Sequence, residues 1–79
     1  MEILVIGEGC RDCNALFENT KRAVKTLGLS EDVKKVENLT DIVKLGVYEA
    51  PALMVDGKLL IAGRPAKEKE ILKALKKML

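Results

Sequence analysis

The run Ile3-Leu4-Val5-Ile6, which follows Glu2 and ends at Gly7, carries no polar residue at alternate positions. A strand with one wet face alternates apolar and polar residues, so an unbroken apolar run is the pattern of a strand buried on both faces. Such a strand belongs at the centre of a sheet. The chain has 79 residues and a mass of 8.7 kDa, which leaves room for one domain, residues 1–79, around one core. A chain of this length buries only about 60% of the surface its unfolded form exposes, so every large apolar side chain is expected to be used. Phe17 and Tyr48 are the only aromatic residues. The core must therefore be built from Leu, Ile, Val, Met and Ala.

After Gly7-Glu8-Gly9, the positions Cys13, Leu16, Phe17, Thr20, Val24 and Leu27 recur at three- and four-residue steps and stop at Gly28, which predicts an amphipathic helix starting at or just after Cys10. Asp32 to Glu37 places two Val around two Lys and predicts a short edge strand whose lysines discourage pairing with other chains. Thr40 is a candidate cap for a short helix from Asp41 to about Leu45, ended by Gly46. Asp56-Gly57 between Leu53-Met54-Val55 and Leu59-Leu60-Ile61 is a two-residue hairpin signal, because both residues enter positive φ readily. Pro65 marks the start of a last helix, with Ile71, Leu72, Leu75, Met78 and Leu79 on its apolar face and Lys69, Lys73, Lys76 and Lys77 largely outside it. The expected fold is α/β, in the order βαβαββα. A right-handed crossover makes the first two strands parallel and the hairpin adds an antiparallel pair, giving a four-stranded mixed sheet flanked by helices.

Fourteen Lys and Arg against twelve Asp and Glu give a net charge of +2, a balance that does not require an anionic partner. The basic excess falls mostly in the last helix without interleaved aromatic residues on which bases could stack, so no nucleic-acid partner is expected. The apolar runs Ile3–Ile6 and Leu59–Ala62 fall far short of the roughly 18 residues that span a bilayer, so no membrane partner is expected. Met1-Glu2 lacks the basic start and long apolar stretch of a secretory signal, and a cytoplasmic location is expected.

The two cysteines, Cys10 and Cys13, form a Cys-Arg-Asp-Cys motif at the junction of a strand and a helix. As a structural staple this pair is poor, because closing so short a loop restrains the unfolded chain by only about 2 kcal/mol. At a helix N-terminus, however, unpaired N–H groups and the helix dipole favour an anion. The Cys10 thiolate is therefore stabilised, which makes Cys10 the expected nucleophile. Cys13 lies one turn in, on the core-facing stripe, and is expected to stay shielded until a mixed disulfide forms at Cys10, which it then resolves. Arg11 adds positive charge beside the pair, while Glu8 and Asp12 oppose it. Two other readings of the same residues stay open. Two thiolates suit Cu(I), and zinc could close a four-ligand site across a dimer, which makes a small Cu(I) or Zn carrier the alternative. The cysteines could also be incidental neighbours in an interaction domain.

Pro51 begins the predicted strand Ala52–Val55 and would lie beside the end of the first strand, near Cys10. Gly7-Glu8-Gly9-Cys10-Arg11-Asp12-Cys13 after a strand, Ala50-Pro51-Ala52-Leu53 before a second, Asp56-Gly57-Lys58, and Gly63 before a last helix together resemble the small thioredoxin-like redox-active disulfide proteins of archaea and bacteria. The resemblance covers essentially the whole chain. It implies a cis Ala50–Pro51 bond against the cysteine pair and thiol–disulfide exchange with protein substrates by a protein disulfide reductase. It further implies recycling by an external flavin-containing, thioredoxin reductase-like partner. Cys10 and Cys13 would be catalytic. Gly9, Arg11, Ala50, Pro51 and Gly63 would bind substrate, with the Ala50 backbone and the Pro51 carbonyl offered to an extended segment. Gly63 is either a point of close approach for that segment or only the turn before Arg64-Pro65. No bound cofactor and no resident metal are expected, and the chain is expected to be a monomer. The sequence departs from ordinary thioredoxins in lacking their Trp and Gly-Pro at the cysteines. It departs from glutaredoxins in having Glu49-Ala50-Pro51 for Thr-Val-Pro, which sets glutathione binding apart from the resemblance. Glu8 and Glu49 read as solvated loop charges and Tyr48 as a rim residue, so no proton acceptor for Cys13 is assigned.

Overall fold

The first apolar run forms strand β1, Ile3–Ile6, and its alternate side chains serve two different cores. Ile3 and Val5 point to one face of the sheet and Ile6, with the half-buried Leu4, to the other. The computed structural model describes residues 1–9 and 11–79. After β1 come helix α1 (Arg11–Thr26), strand β2 (Val33–Val36), helix α2 (Leu39–Lys44), the hairpin strands β3 (Ala52–Val55) and β4 (Lys58–Ala62), and helix α3 (Glu68–Met78). The four strands lie in the order β2-β1-β3-β4, with β1 parallel to β2 and antiparallel to β3, and β3 antiparallel to β4. The βαβαββα expectation holds in order and in strand direction.

The larger core lies under α1 and α3. Leu16, Ala23 and Val24 of α1 and Ile71 and Leu75 of α3 close over Ile3, Val5, Leu53, Val55 and Ile61. Asn19 Nδ2 donates to the Ala66 carbonyl at 2.9 Å, tying α1 to the segment that leads into α3. The buried Thr20 hydroxyl donates to the Leu16 carbonyl at 2.7 Å, so its polar atom costs nothing unsatisfied. The smaller core lies under α2, where Ile42 and Val47 cover Ile6, Ala52 and Met54.

A helix of six residues is too short to cover its face of the sheet, and the expectation that every large apolar residue is used fails there. Leu39, Val43, Leu45 and Tyr48 on or beside α2 stay exposed, as do Leu59 on the edge strand and Leu79 at the chain end.

Two helix starts also differ from the sequence reading. Asn38, not Thr40, caps α2: its side chain accepts the Thr40 N–H at 2.8 Å, and the helix begins at Leu39. Pro65 does not open α3, which starts at Glu68 behind Lys67 with no side-chain cap. The intervening Ala66 is buried, so the chain first packs against α1 and only then turns into a helix.

The hairpin turns at Asp56 and Gly57 with φ of 51° and 80°, the two positive values that a type I′ turn requires. Asp56 also holds the chain start, accepting the Glu2 N–H on Oδ1 at 2.6 Å and donating its own N–H to the Glu2 carbonyl at 2.8 Å. A register shift between Leu53 and Met54 inserts one extra residue into β4. It carries Gly63 opposite Pro51, and the Gly63 N–H donates to the Pro51 carbonyl at 2.9 Å.

Candidate active site

Cys13 sits in the first turn of α1, buried at 4% exposure, with its side chain toward the end of β1. The helical stripe read from the sequence put it there, because Cys13, Leu16 and Thr20 share the face that meets the sheet. Cys10 lies outside the described residues. Arg11 is the first residue of α1 and is exposed.

Gly7 brings Cys13 and Pro51 together. Its N–H donates to the Val36 carbonyl at 2.9 Å, extending the β1–β2 pairing. A Cβ placed on Gly7 would run into Cys13 Sγ, lie 3.1 Å from Cys13 Cβ and come within 3.8 Å of Pro51 Cα. Glycine is needed here for space, since Gly7 is not among the residues with positive φ. The sequence reading used Gly7 only as the end of a strand. Its role depends on the approach of two distant segments, which no local pattern signals.

The Ala50–Pro51 peptide bond is cis, the geometry that the resemblance implies. Pro51 is buried and Ala50 exposed. The Pro51 carbonyl accepts the Gly63 N–H at 2.9 Å, which uses one of its two lone pairs within the sheet, while Ala50 stands exposed beside it. Gly63 has φ of 76°, and a Cβ on it would lie 2.6 Å from Glu49 Oε2. The room that glycine leaves at this point is filled by the Glu49 side chain. Gly9, with φ of 81°, turns the chain before the cysteine motif, and a Cβ on it would face Glu37 Oε2 at 3.7 Å.

Cys13 adjoins two openings of different character. On the β2 side a cavity of about 10 Å³ is lined by Gly7, Gly9, Asn14, Lys35 and Glu37, room for about one water. Lys35 is fixed beside it, donating to Asn14 Oδ1 at 3.3 Å with its ammonium 4.5 Å from the Phe17 ring centroid. The sequence reading gave Lys35 only the task of protecting a sheet edge. On the α2 side a groove of about 380 Å³ runs along Leu39, Val43 and Tyr48 to Ala50, with Glu8 and Glu49 on its walls. Both carboxylates are exposed, as solvated loop charges would be, and Tyr48 stands at the rim.

Gly7 at the end of β1, Cys13 in the first turn of α1 and Pro51 at the start of β3 therefore meet at one end of the sheet. The family model for the thioredoxin domain matches residues 1–76. The chain is 40% identical over 75 residues to a thioredoxin of Methanothermobacter thermautotrophicus, an alignment covering 95% of this chain and 97% of that protein. It is 32% identical over 77 residues to a thioredoxin of Methanocaldococcus jannaschii, covering 98% of this chain and 88% of that one. The chain belongs to the thioredoxin domain family.

Proposed function

We propose that the chain is a protein disulfide reductase that works through Cys10 and Cys13. The observation that carries this reading is the burial of Cys13 in the first turn of α1, against Gly7 and the cis Ala50–Pro51 segment. Cys10 immediately precedes α1 in sequence, where a helix N-terminus favours the thiolate. In the reduced protein the Cys10 thiolate attacks one sulfur of a substrate disulfide and expels the other as a thiolate. Cys13 then gives up its proton to water and attacks the Cys10 sulfur of the mixed disulfide. The second substrate thiolate leaves, and the two electrons the substrate gained are balanced by the new Cys10–Cys13 bond. Ala50 offers its backbone to the substrate segment, and Gly9 and Arg11, which flank Cys10 in the chain, contact that segment.

No bound cofactor enters these steps. An external reductant, a flavoprotein of the thioredoxin reductase kind, restores the thiols. Among the described residues no helix is long and apolar enough to cross a membrane, and a cytoplasmic monomer fits this chemistry. Family membership favours thiol exchange over the Cu(I) or Zn carrier reading.

Trapping tests the assignment. Cys13→Ser should accumulate mixed disulfides through Cys10 when mixed with disulfide-containing proteins, and Cys10→Ser should accumulate few. Limiting iodoacetamide at neutral pH should label mainly Cys10 of the reduced protein. Equal trapping by both variants, or label mainly on Cys13, would leave the mechanism without its nucleophile.

A further inference from the structure

The groove on the α2 side of Cys13 combines features that the exchange chemistry alone does not need. Of the large apolar side chains exposed among the described residues, three line it: Leu39 at 61%, Val43 at 53% and Tyr48 at 86%. Behind them Ile42 and Val47 form its buried floor. Exposed apolar surface gathered in one place marks a binding surface more often than scattered residues do. The charged residues lining this groove are Glu8 and Glu49, with no Lys or Arg among the described lining residues, although the chain as a whole is basic by two charges. The Glu49 carboxylate is also seated: it fills the space beside Gly63 that any side chain there would take. The groove runs from Ala50 to Cys13, so whatever lies in it lies against Cys13.

We infer that this groove selects protein disulfides by the residues flanking the reacting cysteine. The occupant is an extended segment with an apolar side chain on Leu39 and Val43 and a Lys or Arg between Glu8 and Glu49. The inference rests on the proposed function and adds its substrate class. Opposite charges at an exposed site give a modest preference that salt screens, and an apolar contact adds a preference that salt does not remove.

The test uses the full reduced chain in single turnover with three probes. Two are synthetic peptides with the same internal disulfide, Leu beside one cysteine, and either Lys or Glu at the next position. The third is the neutral disulfide of 2-hydroxyethanethiol. Each rate is divided by that of dithiothreitol on the same probe, which removes the effect of the flanking charge on the disulfide itself. The Lys peptide should react at least about fivefold faster than the Glu peptide at low salt, and the ratio should approach one near 1 M salt, where the screening length is about 3 Å. Glu8→Gln with Glu49→Gln should bring the low-salt ratio towards one. Leu39→Ser with Val43→Ser should slow both peptides alike and leave their ratio unchanged. All four positions are exposed, so circular dichroism should show the fold intact. Equal rates for the two peptides at low salt, with the neutral disulfide still reduced, would overturn the groove assignment and leave the proposed function standing. Failure to reduce any of the three would remove the proposed function and the groove assignment with it. A concentration-dependent dimer that buries Leu39 and Val43 would assign the groove to a second copy and overturn the inference.

Discussion

Gly7→Ala is a one-carbon change whose cost is set almost wholly by Cys13. The added Cβ would overlap Cys13 Sγ and lie 3.1 Å from Cys13 Cβ. Gly7 does not have positive φ, so alanine meets no backbone penalty. The sulfur has little freedom to move aside within the core, because Cys13 is buried at 4% exposure. Of the two openings beside Cys13, the cavity of about 10 Å³ is too small to take the sulfur, and the groove of about 380 Å³ takes it only if Cys13 leaves its buried position. Either α1 shifts away from β1 or the sulfur leaves its rotamer, and overpacking of this kind costs about 1–3 kcal/mol. The middle of that range is about 2 kcal/mol. Chains of this length unfold with about 4–12 kcal/mol in total, and about 2 kcal/mol corresponds to a fall in Tm of about 8–16 °C.

Urea unfolding under reducing conditions would measure this loss in two backgrounds. With Cys13→Ala the sulfur is gone and only the 3.1 Å approach to Cβ remains, so Gly7→Ala should then cost less by about 1 kcal/mol or more. The same variant should slow disulfide exchange if Cys13 has the resolving role proposed for it, since it displaces that sulfur. An equal cost in both backgrounds, or a cost below about 0.5 kcal/mol in the parent, would refute the claim that Gly7 exists to make room for Cys13.

Arg64 and Glu70 form a paired contact, with Arg64 Nη1 donating to Glu70 Oε1 at 2.9 Å. The hydrogen bond, with the attraction of the guanidinium, holds Glu70 below the ordinary carboxylate value and raises Arg64. A carboxylate depressed in the folded state stabilises above its unfolded pKa and loses that contribution as pH falls through its folded value. Glu70→Gln should therefore lower stability at neutral pH, with the difference closing on acidification and in high salt when both proteins are melted in parallel. Asn38→Ala removes the cap of α2 and should cost about 1 kcal/mol in urea unfolding, whereas Thr40→Ala, whose backbone N–H is retained, should cost less. Leu53→Ala opens a void under both α1 and α3, where Leu53 is fully buried. It should cost about 2–5 kcal/mol by the same measurement.

The strands were legible because their signals are local. An unbroken apolar run marks β1, two lysines between valines mark the edge strand, and Asp56-Gly57 has the conformational freedom its turn uses. Helix starts were less so. Asn38 and Thr40 both have cap-forming side chains, and the structure uses the earlier one. Pro65 carries a helix-start signal that tertiary structure overrides, since Ala66 must first reach the core beside Asn19. Of the site, the cysteine motif and Ala50-Pro51 were visible as residues, and the stripe through Leu16 and Thr20 gave the burial of Cys13. Three features were not visible. The space demanded at Gly7, the seat that Gly63 provides for Glu49, and the capture of the Pro51 carbonyl by Gly63 each depend on segments far apart in sequence, the last on a one-residue shift in β4. The exposed apolar residues of α2 were misread because burial was inferred from chain length. Their exposure follows from a helix too short to cover its side of the sheet.

The reduction potential of the Cys10–Cys13 pair tests the central claim most directly. Equilibration in dithiothreitol buffers of graded potential, acid quenching and alkylation would count the thiols by mass. A reductase predicts one two-electron transition, with both cysteines changing together, at a midpoint near about −270 mV. A midpoint near about −120 mV would make the protein an oxidant, and cysteines that never close a shared disulfide would contradict the account altogether.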